Sequence, residues 1–393
     1  AVALNWKSDD VEGLVHFWRS SESAHAVRDV VTLLASQKAV GRGDFDSHKM
    51  LIGVKNGIVD LETFEFRESE RELLMTKEMN ASYNESAACP LWEKFLQETT
   101  GGDTELQRYL QQCAGVCLTG LVDEHVFFIV LGPGGTGKST FQETLKFVWG
   151  TYSVGINPES LAMNKNRDGS KPRPDIAKLP GARLVFANES RAGLQLDEGL
   201  LKSMTGSDTL SCRQLYEPEF DFVPQYKLWL RTNAPPSWDG GDSGMRRRVK
   251  LVPFVCVPVV KDPTLPKKLR KEADGILMWA LRGLKDYRDE GCLVEPKVVT
   301  DGSREYADTL DPIRQFIQMG CIQQDGIESP AQVLYVAYCN WCAGEHRREV
   351  SINRFASELK AKGYQTVTHN GRRFWVGLSA RAKVPGVVVE DAQ

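Results

Sequence analysis

Val126-Phe-Phe-Ile-Val-Leu131, running straight into Gly132-Pro-Gly-Gly-Thr-Gly-Lys-Ser139, is the stretch on which the fold turns. The apolar run has no polar face, which predicts a strand buried on both sides within a sheet. The residues after it fit GxxxxGK[ST]. Glycines leave out the Cβ atoms that would keep backbone N–H groups from curling around phosphate oxygens. Lys138 brings a positive charge to β- and γ-phosphates, and Ser139 offers a hydroxyl to Mg²⁺. A helix opening at Lys138 aims its positive dipole end at the same phosphates. The candidate nucleotide-binding residues are therefore Gly132, Pro133, Gly134, Gly135, Thr136, Gly137, Lys138, Ser139 and Thr140, with ATP and Mg²⁺ as the expected cofactors.

Further apolar strands are expected at 182–187, 227–231 and 249–255, with helices between them. That alternation predicts an α/β fold with a mostly parallel sheet covered on both faces. The ends of these strands carry polar groups. Ala182-Arg-Leu-Val-Phe-Ala-Asn-Glu189 ends in Glu189, the expected catalytic carboxylate and, with Ser139, the expected Mg²⁺ ligand. Asn188 stands where many such enzymes have a second acid. Lys227-Leu-Trp-Leu-Arg-Thr-Asn233 ends in an amide that can hydrogen-bond the attacking water or the γ-phosphate. Met245-Arg-Arg-Arg-Val249 places three guanidinium groups before the last strand, a group suited to spreading transition-state charge.

The flanks read differently. Residues 11–40 have helical spacing, 51–66 read as short strands around Asn56-Gly57, and a second helical block opens at Cys89. After Lys261 the chain turns helical again. Helices near 312–320, 330–343 and 351–362, then strands 364–368 and 373–378 around His369-Asn370-Gly371, suggest a winged helix-turn-helix. The expected divisions are 1–122, a core at 123–260, a helical linker at 261–320, a winged helix at 321–383 and a tail at 384–393.

The chain has 393 residues, 41% hydrophobic and 26% charged, in the range of soluble globular proteins. No apolar run reaches the roughly 20 residues needed to span a bilayer. Nine scattered cysteines fit a reducing cytosol better than a disulfide framework, so a cytoplasmic location is expected. Cys339 and Cys342 form CxxC, but no second pair lies at zinc-ligand spacing, and they read as small apolar residues on a helix. Asp44 and Asp46 follow Gly41-Arg-Gly43 and read as a turn, not a polymerase metal pair. The net charge of −3 gives no general attraction to nucleic acid, so any such binding needs local basic patches or assembly.

In this order the motifs resemble the superfamily III helicases, in particular the helicase part of phage and plasmid primase-helicases and their poxvirus relatives. Beyond the phosphate loop, the likeness is carried by Leu51-Ile-Gly-Val-Lys-Asn-Gly-Ile-Val-Asp-Leu61, Cys89-Pro-Leu-Trp-Glu-Lys-Phe-Leu96 and Leu110-Gln-Gln-Cys-Ala-Gly-Val-Cys-Leu-Thr-Gly120. Leu201-Lys-Ser-Met-Thr-Gly-Ser-Asp-Thr-Leu-Ser-Cys-Arg213 and residues 333–378 extend it. The resemblance implies an AAA+-like core, a homo-hexameric ring and ATP-driven unwinding with 3′ to 5′ travel on single-stranded DNA. It assigns Lys138 and Ser139 to the phosphate loop, Glu189 to the acidic motif and Asn233 to the sensor. An arginine finger supplied in trans falls to Arg247 first and Arg248 second. Because the family often joins an N-terminal primase-polymerase to this motor, Ala1 reads as a cut made after such a module, and a phage-encoded chain would work in the host cytoplasm.

For DNA, the resemblance places a hairpin over Glu217-Pro-Glu219 in the ring's pore. The acidic tip favours Arg213 for phosphate and Tyr216 for base stacking over contact by the tip itself. Lys165, Arg167, Lys171 and Arg173 punctuate a polar loop, Asn164–Arg173, that is either a pore loop or a solvated one. The C-terminal segment carries Arg347, Arg348, Arg354, Lys360, Lys362, Arg372 and Arg373, suited to duplex contact or to protein docking. The alternative to a motor is an origin-binding initiator or loader without processive unwinding.

Overall fold

In the computed structural model the described residues are 8–37, 41–164, 172–188, 193–258, 262–347 and 349–381. Helices α1 (Ser8–Ser21) and α2 (Ala24–Gln37) lead the chain and leave Phe17, Trp18, Leu33 and Leu34 exposed. Strands β1 (Leu51–Val54) and β2 (Gly57–Asp60) form the expected hairpin, with β3 (Phe66–Arg67) beside β2. Helices α3 (Pro90–Thr99) and α4 (Thr104–Val116) follow.

The central part runs β4 (Phe127–Leu131), α5 (Lys138–Val148), β5 (Ser153–Ile156), α6 (Pro174–Ala177), β6 (Leu184–Asn188) and α7 (Glu198–Thr205). A small antiparallel hairpin comes next, β7 (Leu210–Cys212) and β8 (Phe220–Phe222), then β9 (Lys227–Thr232), α8 (Ser243–Arg248) and β10 (Val249–Pro253). The five long-range strands form one parallel sheet in the order β10-β4-β9-β6-β5.

Alternation along these strands sends successive side chains into two different cores. Phe128, Val130, Phe186 and Trp229 point into one, together with Trp92, Phe95, Tyr109, Phe141 and Ile276. Phe127, Ile129, Val185 and Leu228 point into the other, with Leu161, Ile176, Met204 and Met245. Both faces are thus covered, which is why the strands carry no polar stripe. The first core is built largely from the leader: Trp92 of α3 stacks on Phe95 and Phe141 and meets Trp279 edge-on. The part of the leader from β1 to α4 is therefore not a separate packing unit.

Beyond the sheet lie α9 (Leu265–Leu269), α10 (Ala273–Glu290) and α11 (Lys297–Leu310). Helices α4 and α10 touch backbone to backbone. A Cβ on Gly283 would come 2.1 Å from the Gln111 carbonyl oxygen, and one on Gly115 would come 2.2 Å from the Leu284 nitrogen. Arg108 clamps the pair by a fork onto Asp286 at 2.8 and 2.7 Å.

The chain ends in α12 (Pro312–Gly320), β11 (Cys321–Pro330), α13 (Ala331–Gly344), α14 (Ile352–Ala361), β12 (Thr366–His369) and β13 (Arg372–Ala380). The hairpin turns at Asn370 and Gly371, both at positive φ, as the Asn-Gly pair requires. Two features depart from the sequence reading. Strand β11 pairs antiparallel with β13, making a three-stranded sheet where two strands were expected. The C-terminal core also begins before the expected boundary at 321: α12, already counted by sequence among the helices of that segment, sends Ile313, Phe316 and Ile317 into it beside Trp341, Phe355 and Trp375. Cys339 and Cys342 lie on α13 as expected, Cys342 buried. Among the described residues no helix is long and apolar enough to cross a membrane.

Candidate nucleotide site

Parallel strands bring their carboxyl ends to one edge, where loops are free to bind ligands. Register sets that edge here: Val130 of β4 lies beside Arg231 of β9, which lies beside Asn188 of β6. The loop after β4, the last residue of β6 and the residues closing β9 therefore meet. A cavity of about 680 Å³ opens there. Its walls include Gly134 to Thr140, then Arg231, Thr232 and Asn233, with Phe95 and Glu98 from α3 and Pro258, Pro263 and Leu265 opposite.

Gly137 caps α5 in the left-handed conformation at φ 88°. A Cβ at this position would come 2.5 Å from Thr99 Cγ2 and 3.0 Å from the Phe95 ring, so α3 leans on the loop where only glycine fits. Lys138 opens α5 and is buried. Its Nζ donates to the carbonyls of Gly132 and Pro133, both at 2.6 Å. Desolvation pushes the ammonium below its ordinary pKa, and the charge of Arg231 adds to the effect. Ser139 is exposed on the cavity wall. These groups fit a triphosphate: a glycine cradle, a helix N-terminus and a lysine whose present acceptors are carbonyls of its own loop. Ser139 and Asn188 add oxygen donors of the kind a hard divalent cation takes. Asn188 Oδ1 accepts a hydrogen bond from the Gln142 amide. Glu189 lies outside the described residues.

The arginine row divides by environment. Arg246 is committed inward, donating to the carbonyls of Gly240 and Ala307 and to Asp308 and Asp311. Arg247 is exposed. Arg248 is half-buried, and its Nη1 donates to the Gly244 carbonyl at 3.1 Å.

The hairpin over Glu217-Pro-Glu219 forms from two short strands, so its tip spans 213–219 and includes Arg213, Leu215 and Tyr216 as well as the acids. Tyr216 is 97% exposed, at φ 63°. The Arg213 carbonyl accepts from the Arg173 backbone N–H at 3.1 Å, which joins the hairpin to the end of the polar loop. The Arg173 guanidinium, expected on DNA, forks onto Asp175 at 3.0 and 2.8 Å and reaches the Ser160 carbonyl. That pairing gives Arg173 an internal structural role. Lys165, Arg167 and Lys171 lie outside the described residues, as does Arg348. Asp46 accepts from the Thr76 and Lys77 backbone N–H groups and the Thr76 hydroxyl, in keeping with a turn.

Comparison with known proteins bears on this site. Residues 5–101 match the family described as D5 N terminal like, and residues 130–248 match a family of unknown function, DUF5906. Over 315 residues the chain is 28% identical to a protein named "Putative helicase" from Acanthamoeba polyphaga mimivirus, covering 74% of this chain and 32% of that protein. Over 162 residues it is 31% identical to another of that name from Frog virus 3 (isolate Goorha), covering 40% and 16%. The chain is a homologue of these viral helicase-like proteins. It spans about a third of the length of the first and less of the second. Among solved structures it is similar to the apo C-terminal region of NrS-1, at 14% identity and a TM-score of 0.47 over 76% of this chain and 77% of that one.

Two parts of this helicase homologue's cavity escaped the sequence reading. One is the wall from α3, brought in by long-range packing that no local pattern encodes. The other is Arg231, whose signal was present: a charged residue directly after the apolar run Leu228-Trp-Leu230 of the central strand.

Proposed function

We propose that this homologue is the ATP-driven motor of a viral or phage-type replicative DNA helicase, the C-terminal part of a longer primase-helicase. It works as a homo-hexameric ring moving 3′ to 5′ on single-stranded DNA. The observation that carries the reading is the meeting of Lys138, Ser139 and Asn233 around one cavity at the carboxyl edge of the sheet, with Asn188 ending the adjoining strand beside Arg231. The strand order, with the phosphate-loop strand between β10 and β9, supports an AAA+-like core. Lys138 exchanges its loop carbonyls for β- and γ-phosphate oxygens. Ser139 and Glu189 would hold Mg²⁺, which would supply charge neutralisation at the phosphates. Asn233 orients the attacking water, and exposed Arg247 reaches the cavity of the neighbouring subunit. Arg213 and Tyr216 at the hairpin tip face the DNA strand. The C-terminal unit from α12 to β13 acts as a winged helix.

The test is ATP hydrolysis with and without single-stranded DNA, for wild type and Glu189→Gln, alongside the mass of the assembled particle. Stimulated turnover by a hexamer, lost in the variant, is expected. A monomer that binds DNA and ATP without turnover would favour the initiator reading.

A further inference from the structure

Arg231 is out of keeping with its strand. β9 is the middle strand of a parallel sheet covered on both faces, where residues are ordinarily apolar throughout. Lys227, Leu228, Trp229, Leu230 and Thr232 are buried, and Arg231 alone within the strand is only half-buried. Its register fixes where the charge emerges: one neighbour is Val130, two residues before the phosphate loop, and the other is Asn188. Residues 231 and 233 fall on the same side of the strand by alternation, and both line the cavity with Lys138 and Ser139. Two cations thus share one partly dehydrated wall. An anion entering between them would meet both charges.

We infer that Arg231 is a second phosphate ligand of this cavity, contacting the terminal phosphate of a nucleoside triphosphate from within the same subunit. This rests on the nucleotide-site reading above. It differs from the role proposed for Arg247, which needs a neighbouring subunit. A planar guanidinium at the strand end adjoining Asn233 distinguishes triphosphate from diphosphate, because the contact exists only while the terminal phosphate is present.

The test uses the full chain with fluorescent methylanthraniloyl-ATP and methylanthraniloyl-ADP, in Mg²⁺, for wild type, Lys138→Ala, Arg231→Met and Arg231→Lys. Arg231→Met should weaken the triphosphate by about tenfold or more and the diphosphate by less than about threefold. Retained diphosphate binding shows that the variant is folded. Arg231→Lys keeps the charge but loses the fork, and should show a smaller loss confined to the triphosphate. If Arg231→Met fails to fold, Arg231→Lys decides by the same comparison. Equal weakening of both nucleotides, or of neither, would overturn the inference while leaving the site intact. Wild type that binds neither nucleotide, or binds both as well after Lys138→Ala, would remove the nucleotide-site reading and this inference with it.

Discussion

Gln142, one turn into α5, donates its side-chain amide to Oδ1 of Asn188 at the end of β6. Two neutral amides thus meet where the family resemblance would admit an acid. The other end of Gln142, its Oε1, is buried and has no hydrogen-bond partner among the described residues. Asn188→Asp should keep the bond, since a carboxylate accepts from the same amide, while placing a charged oxygen at the carboxyl edge of the sheet beside Arg231. Hard divalent cations bind carboxylates more strongly than amides. The Mg²⁺ concentration for half-maximal nucleotide binding should fall several-fold in a metal titration. An unchanged titration would mean that Asn188 does not face the metal. Gln142→Leu removes the donor and the orphaned acceptor together, so its stability should change by no more than about 1 kcal/mol.

Gly137 and Gly134 lie in the same loop but should respond differently to a methyl group. At Gly137 the positive φ and the contacts with Thr99 and Phe95 leave no room for a Cβ. Gly137→Ala should cost about 1–3 kcal/mol and abolish nucleotide binding, because α3 must move off the loop. A Cβ on Gly134 meets nothing within 4 Å. Gly134→Ala should stay within about 0.5 kcal/mol of wild type. Urea denaturation with nucleotide titration reads both.

Arg246 and Arg247 are adjacent but separate structure from activity. Arg246 ties α8 to the end of α11, and the side chain of its partner Asp311 is only 1% exposed. Arg246→Ala should destabilise by about 1–3 kcal/mol. Exposed Arg247 should tolerate alanine within about 0.5 kcal/mol yet lose DNA-stimulated hydrolysis. Mixing inactive Arg247→Ala with inactive Lys138→Ala subunits should restore some activity, since some interfaces then carry both residues. No recovery at any ratio would rule out a finger in trans at Arg247.

Tyr216 and Arg213 share the hairpin tip but should act through different forces. Stacking of a base on an exposed aromatic ring contributes about 1–3 kcal/mol and is insensitive to salt. Tyr216→Ala should therefore weaken single-strand binding equally at every salt concentration. Arg213→Ala should lower the slope of log affinity against log salt by about one ion. If both variants shift the slope alike, the tip works by charge alone.

How much of this could be read in the chain depended on whether the signal was local. β4 and its loop declared themselves, because a run of apolar residues ending in glycine has few other structures open to it. The hairpin turn at Asn370-Gly371 was legible for the same reason. β11 was not: Ile322 to Gly326 are exposed, so its polar sequence shows no alternation, and pairing with β13 holds it. The contact of Thr99 and Phe95 with Gly137 was also hidden, since it depends on Trp92 docking α3 against α5 and α10. Arg231 was visible as a residue and overlooked as a site, because only the register shows that its strand ends between the phosphate loop and Asn188.

Lys227 offers a test of how the leader is joined to the sheet. It begins β9 with its ammonium buried. Nζ donates to the Val116 carbonyl, to the Thr119 carbonyl at 2.9 Å and to the Thr119 hydroxyl at 3.0 Å, near the end of α4 where carbonyls lack helical partners. Burial lowers its pKa to about 7, against roughly 10.4 in an unfolded chain. Between those values the unfolded state binds more protons, so stability rises with pH; below the folded value both states are charged and the full penalty applies. Buried Cys117 opposes this at higher pH, its thiol pushed up to about 11, so the useful window closes near the unfolded thiol value of about 8.5. From about pH 7 to about pH 8.2, wild type should gain roughly 1 kcal/mol relative to Lys227→Met in urea denaturation. Parallel curves for the two proteins would mean that the carbonyl cage keeps Lys227 charged and that the joint is electrostatic at every pH in the window.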